Sequence, residues 1–288
     1  LRMRLYFGAA IVLAANCGGA LTVIGDPTGL FLWNMGHVTP TAYSSAMALP
    51  CLTAWLLPTW WIGRSLPETT ETEWVTMPYR GDDPRLNMWQ RLLMLFVGIG
   101  GLWFIPTFHR ITKLSPFLGA FCVLAVLWVV NEIFNRRLID TDEMMQRRVP
   151  RVLQYGVIQM MLYIMGIMLA VGVVQETGAV GWLVAQLDNY VGATWVAGTL
   201  AAALSTVLDS FTSALTFFTI GKSNGLNSDY WSMIAYSTAV GGNILCVGSL
   251  SGVAFLKTEN ARVGWYISNV GWKAFVGAAL GLAVMIVM

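Results

Sequence analysis

The stretches G-G-A-L-T-V-I-G-D-P-T-G, Gly18 to Gly29, and G-G-N-I-L-C-V-G-S-L-S-G, Gly241 to Gly252, are one motif written twice. A shift of 223 positions lays Gly18, Gly19, Gly25 and Gly29 on Gly241, Gly242, Gly248 and Gly252, and Thr28 on Ser251. Each copy sits inside a long apolar segment. There a glycine-rich stretch weakens the helix, and the freed backbone groups need protein or an aqueous cavity to satisfy them. Paired glycine-interrupted hydrophobic segments in corresponding positions of two halves point to the binding site of an inverted-repeat transporter.

The surrounding sequence has membrane composition. Hydrophobic residues make up 56% of the 288 residues and charged residues 11%, against about 25% charged in an average soluble domain; mean hydropathy is +0.63. Stretches without Asp, Glu, Lys or Arg run over Leu5–Gly25, Pro27–Gly63, Leu92–Phe108, Leu114–Asn131, Val152–Gln175, Asn189–Leu208 and Tyr230–Leu256. A transmembrane helix needs about 20 mainly apolar residues, so an all-α polytopic membrane protein is expected, with membrane lipid as its surroundings. The net charge of +2 implies no nucleic-acid partner, and the four cysteines show no metal or disulfide spacing. No signal peptide is read at the start, and no cofactor is expected.

The motifs divide the chain. A broken helix at 5–35 and a span at 40–63 form the end of a first repeat, 1–63. A polar loop follows at 64–88, then spans at 89–108 and 115–134 within 89–134, and a basic loop at 135–151. The second repeat, 152–288, holds a span at 152–175, a short amphipathic piece at 178–190, an apolar run at 191–221, a second broken helix at 230–257 and a last span at 263–287. Arg136, Arg137, Arg147, Arg148 and Arg151 place loop 135–151 in the cytoplasm. Counting back puts 64–88, Arg2 and Arg4 on the same side and the connection 109–114 outside. If 191–221 is a re-entrant hairpin with its tip at Asp209–Ser213, Lys257 and Arg262 also lie inside; as a single span it would put them outside. The hairpin satisfies the charge count. Asp209 precedes Gly241 by 32 residues, so the equivalent first hairpin would lie about 14 residues upstream of Leu1. The chain is therefore expected to be N-terminally incomplete.

Few polar side chains lie at membrane depth. Asp209, in S-T-V-L-D-S-F-T-S, is flanked by Ser210, Thr212 and Ser213. A carboxylate there is costly and marks an ion or proton pathway, and neighbouring hydroxyls and freed carbonyls are the hard oxygen ligands a small cation takes. A carboxyl that alternates between proton and metal ion is the minimum machinery of an antiporter; the structural alternative is a helix cap. Asp26, in I-G-D-P-T with Asn16 and Thr28 nearby, is read both as a ligand and as the cap of a helix starting at Pro27. Asn243 and Ser249 are candidate oxygen ligands at the second break. Gly18, Gly19, Gly25, Gly241, Gly242 and Gly248 permit the unwinding. Lys273, mid-span, is a candidate charge partner, with snorkelling as the alternative.

At these residues the chain resembles the NhaD-type sodium/proton antiporters of the ion transporter superfamily. The resemblance rests on A-N-x-G-G-x-x-x-x-I-G-D-x-T, matched from Ala15 to Thr28, and on a hairpin Asp at Leu208–Asp209–Ser210. It rests also on G-T-G-G-S-I-L-x-x-G-S-x-x-G-V, matched from Val240 to Val253 with Asn243 in the Ser position, and on G-W-Y-x-x-N-x-x-W-K-A, Gly264 to Ala274. It covers nearly the whole chain, and only the second two-thirds of such a protein. Ser210 stands where the family has Asn, and Pro27 and Gly29 depart at the first break; these bear on cation selectivity more than on fold.

The resemblance implies an inverted-repeat fold with two hairpins and two broken helices, a mobile transport domain, a dimeric scaffold and a bacterial cytoplasmic (inner) membrane. It makes Asp209 and Asp26 ligands for Na⁺ and H⁺, with Na⁺ held at Asp209 and its neighbours. The expected function is exchange of Na⁺, and of Li⁺, for H⁺ by alternating access. The alternative is an anion carrier for a carboxylate or arsenite, which would present open helix N-termini or basic residues to its substrate. An enzyme is disfavoured because no H-E-x-x-H or comparable pair occurs. A channel is disfavoured by a helix break in each half.

Overall fold

The computed structural model describes residues 2–66, 88–135, 158–178, 194–221 and 224–288. Loop 67–87, most of the basic loop and the amphipathic piece after residue 178 lie outside these, as do residues 152–157 of the span read at 152–175. The described elements are helical: α1 (Arg2–Leu21), α2 (Pro27–Asn34), α3 (Pro40–Gly63), α4 (Met88–Thr112), α5 (Pro116–Asn135), α6 (Ile158–Glu176), α7 (Thr194–Ser205), α8 (Ser210–Ile220), α9 (Asp229–Leu245), α10 (Leu250–Thr258), α11 (Val263–Tyr266), a π-helical turn at Ile267–Gly271, and α12 (Trp272–Val287). Six stretches among the described residues are long and apolar enough to cross a bilayer. This is an integral membrane protein, all-α where described.

Contacts divide the chain into two compact units, Leu1–Thr69 with Leu169–Met288, and Thr70–Met168. In the second unit α4 and α5 pack on each other. Pro106 does not end α4, which runs on to Thr112, so the connection read at 109–114 shrinks to residues 113–115. His109 lies in the last helical turn, its Nδ1 2.6 Å from Leu114 O.

The first unit is built around α9, buried from Tyr230 to Asn243 because α1, α3, α7, α8 and α12 pack against it. α3 and α12 form its longest seam. Pro50 and Pro58 lie inside the continuous α3, and glycines of α12 face them: a Cβ on Gly277 would come 2.6 Å from Pro58 Cγ and one on Gly281 2.7 Å from Pro50 O. In a bilayer, where burial from water does not drive helices together, such close approach supplies the packing.

Within the run read at 191–221, the described residues 194–221 form two short helices, α7 and α8, folded against each other through a turn at 206–209; residues 191–193 lie outside the described residues. With 12 and 11 residues each reaches about 16–18 Å, against a hydrocarbon core of about 30 Å, so neither crosses. Contacts between sequence-distant loops show which segments share an end of this unit. Asn227 N–H donates to His37 O at 2.8 Å and Thr39 N–H donates to Asn227 Oδ1 at 2.7 Å, while His37 stacks on Trp231 with centroids 4.2 Å apart. At the opposite end Arg4 pairs with Glu259 at 2.6 Å, and Tyr6 OH donates to Asn269 Oδ1 at 3.0 Å. The chain therefore enters α7 and leaves α8 at the end that also holds residues 35–39, which is the geometry of a re-entrant hairpin.

Candidate functional site

The two motif copies fold alike. α1 breaks at 22–26 before α2, and α9 at 246–249 before α10. Asp26 and Ser249, 223 positions apart, are both N-caps, with φ/ψ of −134°/144° and −136°/143°. A Cβ on Gly19 would lie 3.1 Å from Gly25 O, and one on Gly242 2.9 Å from Gly248 O, so each unwound strand folds back onto its own helix. Gly18, Gly19, Gly241 and Gly242 themselves lie in the last helical turns; the unwinding begins after them. Gly18 faces open space, whereas Gly241 packs against the Ala202 backbone of α7. The copies differ at the C-cap, where Cys246 takes φ +65°.

The hairpin tip docks on the second break. Ser210 N–H donates to Gly248 O at 3.1 Å, and Ser205 Oγ donates to Thr238 O at 2.5 Å. Gly248 lies so close to Ser205 O and Leu208 O that no Cβ fits. α8 then runs beside α2, with Phe31 stacked on Phe218 (centroids 6.0 Å) and edge-on to Phe211 (6.1 Å). Both helices start at the depth of the breaks and end at the His37–Asn227 contact.

Their neighbouring N-termini carry the two acids. Asp26 Oδ2 accepts from Thr28 N–H at 3.2 Å and Asp209 Oδ2 from Phe211 N–H at 3.1 Å; the carboxylates are within electrostatic reach of each other. Both are helix caps, as the structural reading required, at the starts of two helices that pack on each other. Among the described residues Thr28 and Ser213, 1% and 0% exposed, have hydroxyls without a hydrogen-bond partner, as has Ser237 on α9; that of Thr28 lies beside the Asp26 carboxylate but outside bonding geometry. Buried native hydroxyls are seldom left unpaired. Ser210 and Thr212 occupy the first turn of α8.

A second polar group bolts the two broken helices together. Asn16 Nδ2 donates to Asn243 Oδ1 at 2.7 Å, Ser251 Oγ donates to Asn16 Oδ1 at 2.5 Å, and Ser251 and Ser249 hydroxyls are 3.4 Å apart. Asn243 also donates to Cys17 Sγ at 3.6 Å, and its carbonyl accepts from Tyr266 OH at 3.0 Å. Tyr266 stood in the Gly264–Ala274 motif without an assigned role; it meets Asn243 through the packing of α11 on the break. Lys273, 6% exposed, lies elsewhere: Nζ donates to Ser65 Oγ at 3.1 Å.

A family model described as citrate transporter, CitMHS, matches residues 1–241. The chain belongs to the CitMHS family. Among curated relatives of this family member, "Sodium/proton antiporter 1" of Arabidopsis thaliana is 29% identical over 285 residues, 97% of this chain and 48% of that protein. "Sodium/proton antiporter 2" of the same plant is 26% identical over 97% of this chain and 66% of its own length. "Na(+)/H(+) antiporter NhaD" of Vibrio cholerae is 25% identical over 96% of this chain and 60% of its own length. The chain thus spans about half to two-thirds of the relatives it matches. No solved structure matches it.

Proposed function

We propose that the protein to which this CitMHS chain belongs exchanges Na⁺, and also Li⁺, for H⁺ by alternating access. The supporting observation is the pair of packed helices α2 and α8 whose N-termini are capped by Asp26 and Asp209, each with a buried hydroxyl in its first turns, Thr28 and Ser213, that has no partner among the described residues. The N-terminus of a helix ordinarily attracts anions through its free N–H groups and dipole. Here a carboxylate already occupies each one, so the site offers anionic oxygen to a cation. Asp26, Asp209, Thr28 and Ser213 are the first ligands, and carbonyls freed at the breaks add others, with Ser210 and Thr212 beside them. Protons and cations compete for the same carboxyl oxygens, so loading one releases the other. Asn16, Asn243, Ser249 and Ser251 hold the two breaks at a fixed separation. A homodimer in a bacterial cytoplasmic membrane, with no cofactor, completes this reading.

The description of the matched family favours a second reading, carriage of citrate. A tricarboxylate would have to enter a site already lined by two carboxylates, which like-charge repulsion opposes. One assay separates the two. Everted vesicles holding the full-length protein are given a proton gradient, and its collapse is followed with a pH dye. Addition of Na⁺ should collapse it in the parent and not in Asp209→Asn. Collapse on adding citrate, with no response to Na⁺ or Li⁺, would make the protein an anion carrier.

A further inference from the structure

A patch of cations lies apart from the ion site, where α3 ends against α12. Lys273 is almost fully buried, yet among the described residues its ammonium has only the neutral Ser65 hydroxyl, 3.1 Å away, and the face of Trp272, 5.9 Å to its centroid. Ser65 Oγ in turn donates to Trp61 O at 3.1 Å, so its lone pairs face the ammonium. Arg64, next in the chain and exposed, lays its guanidinium 4.2 Å over the Trp60 ring. Trp61 and Trp272 close the corner edge-to-face at 4.7 Å. Neither cation makes an ion pair with a described residue. A buried charge without a counter-ion is costly; Lys273 is buried, and Arg64, exposed, follows Gly63 at the end of α3 beside Ser65.

The surroundings favour one class of anionic partner. Trp60 and Trp61 lie in the last turn of α3, where tryptophans mark a membrane interface, Trp272 packs on Trp61 at that level, and loop charge assigns this end to the cytoplasm. Along the two helices, Leu56 (52% exposed) follows Trp60 and Phe275 (58%) follows Trp272, giving an apolar track that leads from the cations into the hydrocarbon. A soluble anion has no use for that track; an acyl chain does. Basic pockets between membrane helices on the cytoplasmic side suit anionic headgroups. We infer that Lys273 and Arg64 hold the phosphate of one anionic phospholipid in the corner between α3 and α12, with its chains along Leu56 and Phe275.

Native mass spectrometry of the detergent-solubilised full-length protein tests this. It would be titrated with phosphatidylglycerol, phosphatidylcholine or glycerol phosphate. The parent should retain phosphatidylglycerol more tightly than phosphatidylcholine, and Lys273→Met and Arg64→Gln should each weaken that binding about fivefold. Unchanged melting of each variant separates lost binding from lost fold. Three results would overturn the inference: equal retention of both lipids by the parent, indifference to both substitutions, or glycerol phosphate binding as tightly as the lipid. A fourth would replace the lipid with the chain's own loop, namely selective binding that emerges only after Glu68, Glu71 and Glu73 are changed to Gln.

Discussion

At the scale of single residues, glycines that look alike in the motif do unlike work. Gly248 is where the hairpin tip rests, and the Ser205 and Leu208 carbonyls leave no room for a methyl group. Gly248→Ala should lower stability by about 1–3 kcal/mol through overpacking, read as a drop in melting temperature in detergent, and should abolish exchange. Gly18 faces open space inside α1, so Gly18→Ala should fold at least as well, gaining up to about 1 kcal/mol of helix propensity. Equal damage from both would mean that the tip does not seat on the break.

The unpaired hydroxyls make a second residue-scale test. Thr28→Val and Ser213→Ala remove buried polar atoms that have no partner among the described residues, so melting should hold or rise. If they are cation ligands, half-saturation for Na⁺ should rise severalfold. A fall in melting temperature with unchanged Na⁺ dependence would make them ordinary packing groups.

At the scale of elements, hairpin and broken helices are each too short or too interrupted to stand alone in lipid, and each completes another. The Ser210–Gly248 backbone bond gives a freed carbonyl its donor, and Ser205 supplies Thr238 with another. The Asn227 contacts with His37 and Thr39 require residues 35–39 and 224–228 to reach the same side of the membrane. A membrane-impermeant thiol reagent on a cysteine-free background should therefore label Met35→Cys and Leu226→Cys from one side and Lys257→Cys from the other. Labelling of Met35→Cys and Leu226→Cys from opposite sides would restore 191–221 to a full span.

At the scale of the molecule, the two motif copies are joined at the breaks by uncharged hydrogen bonds and at one end by an ion pair. The Arg4–Glu259 pair is largely open to solvent on the Arg side, 62% exposed against 17%. Such pairs contribute at most about 1 kcal/mol. Glu259→Gln should thus shift melting little and leave Na⁺-driven exchange intact, whereas Asn243→Ala, which strands Asn16 and its partners in the interior, should cost about 1–3 kcal/mol. A larger loss from Glu259→Gln would place the joint at the ends of the helices instead of at the breaks.

The sequence by itself determined the all-α membrane class, the repeat and its register, and both acids as membrane-depth groups, because composition, glycine spacing and buried charge are local properties that a bilayer penalises residue by residue. Even the shared cap conformation of Asp26 and Ser249 follows from their equivalent places in the motif. Tertiary structure alone decided what meets what. Asp26 and Asp209 cap two helices that lie side by side because α2 and α8 pack through Phe31. Asn16 and Asn243, 227 residues apart, became a bolt between breaks, and Tyr266 joined it. Lys273, read as a charge partner for transport, turned to Ser65 and an aromatic corner, since its direction is set by the seam between α3 and α12. Periodicity states which residues lie at one depth; only packing states which neighbour each one faces.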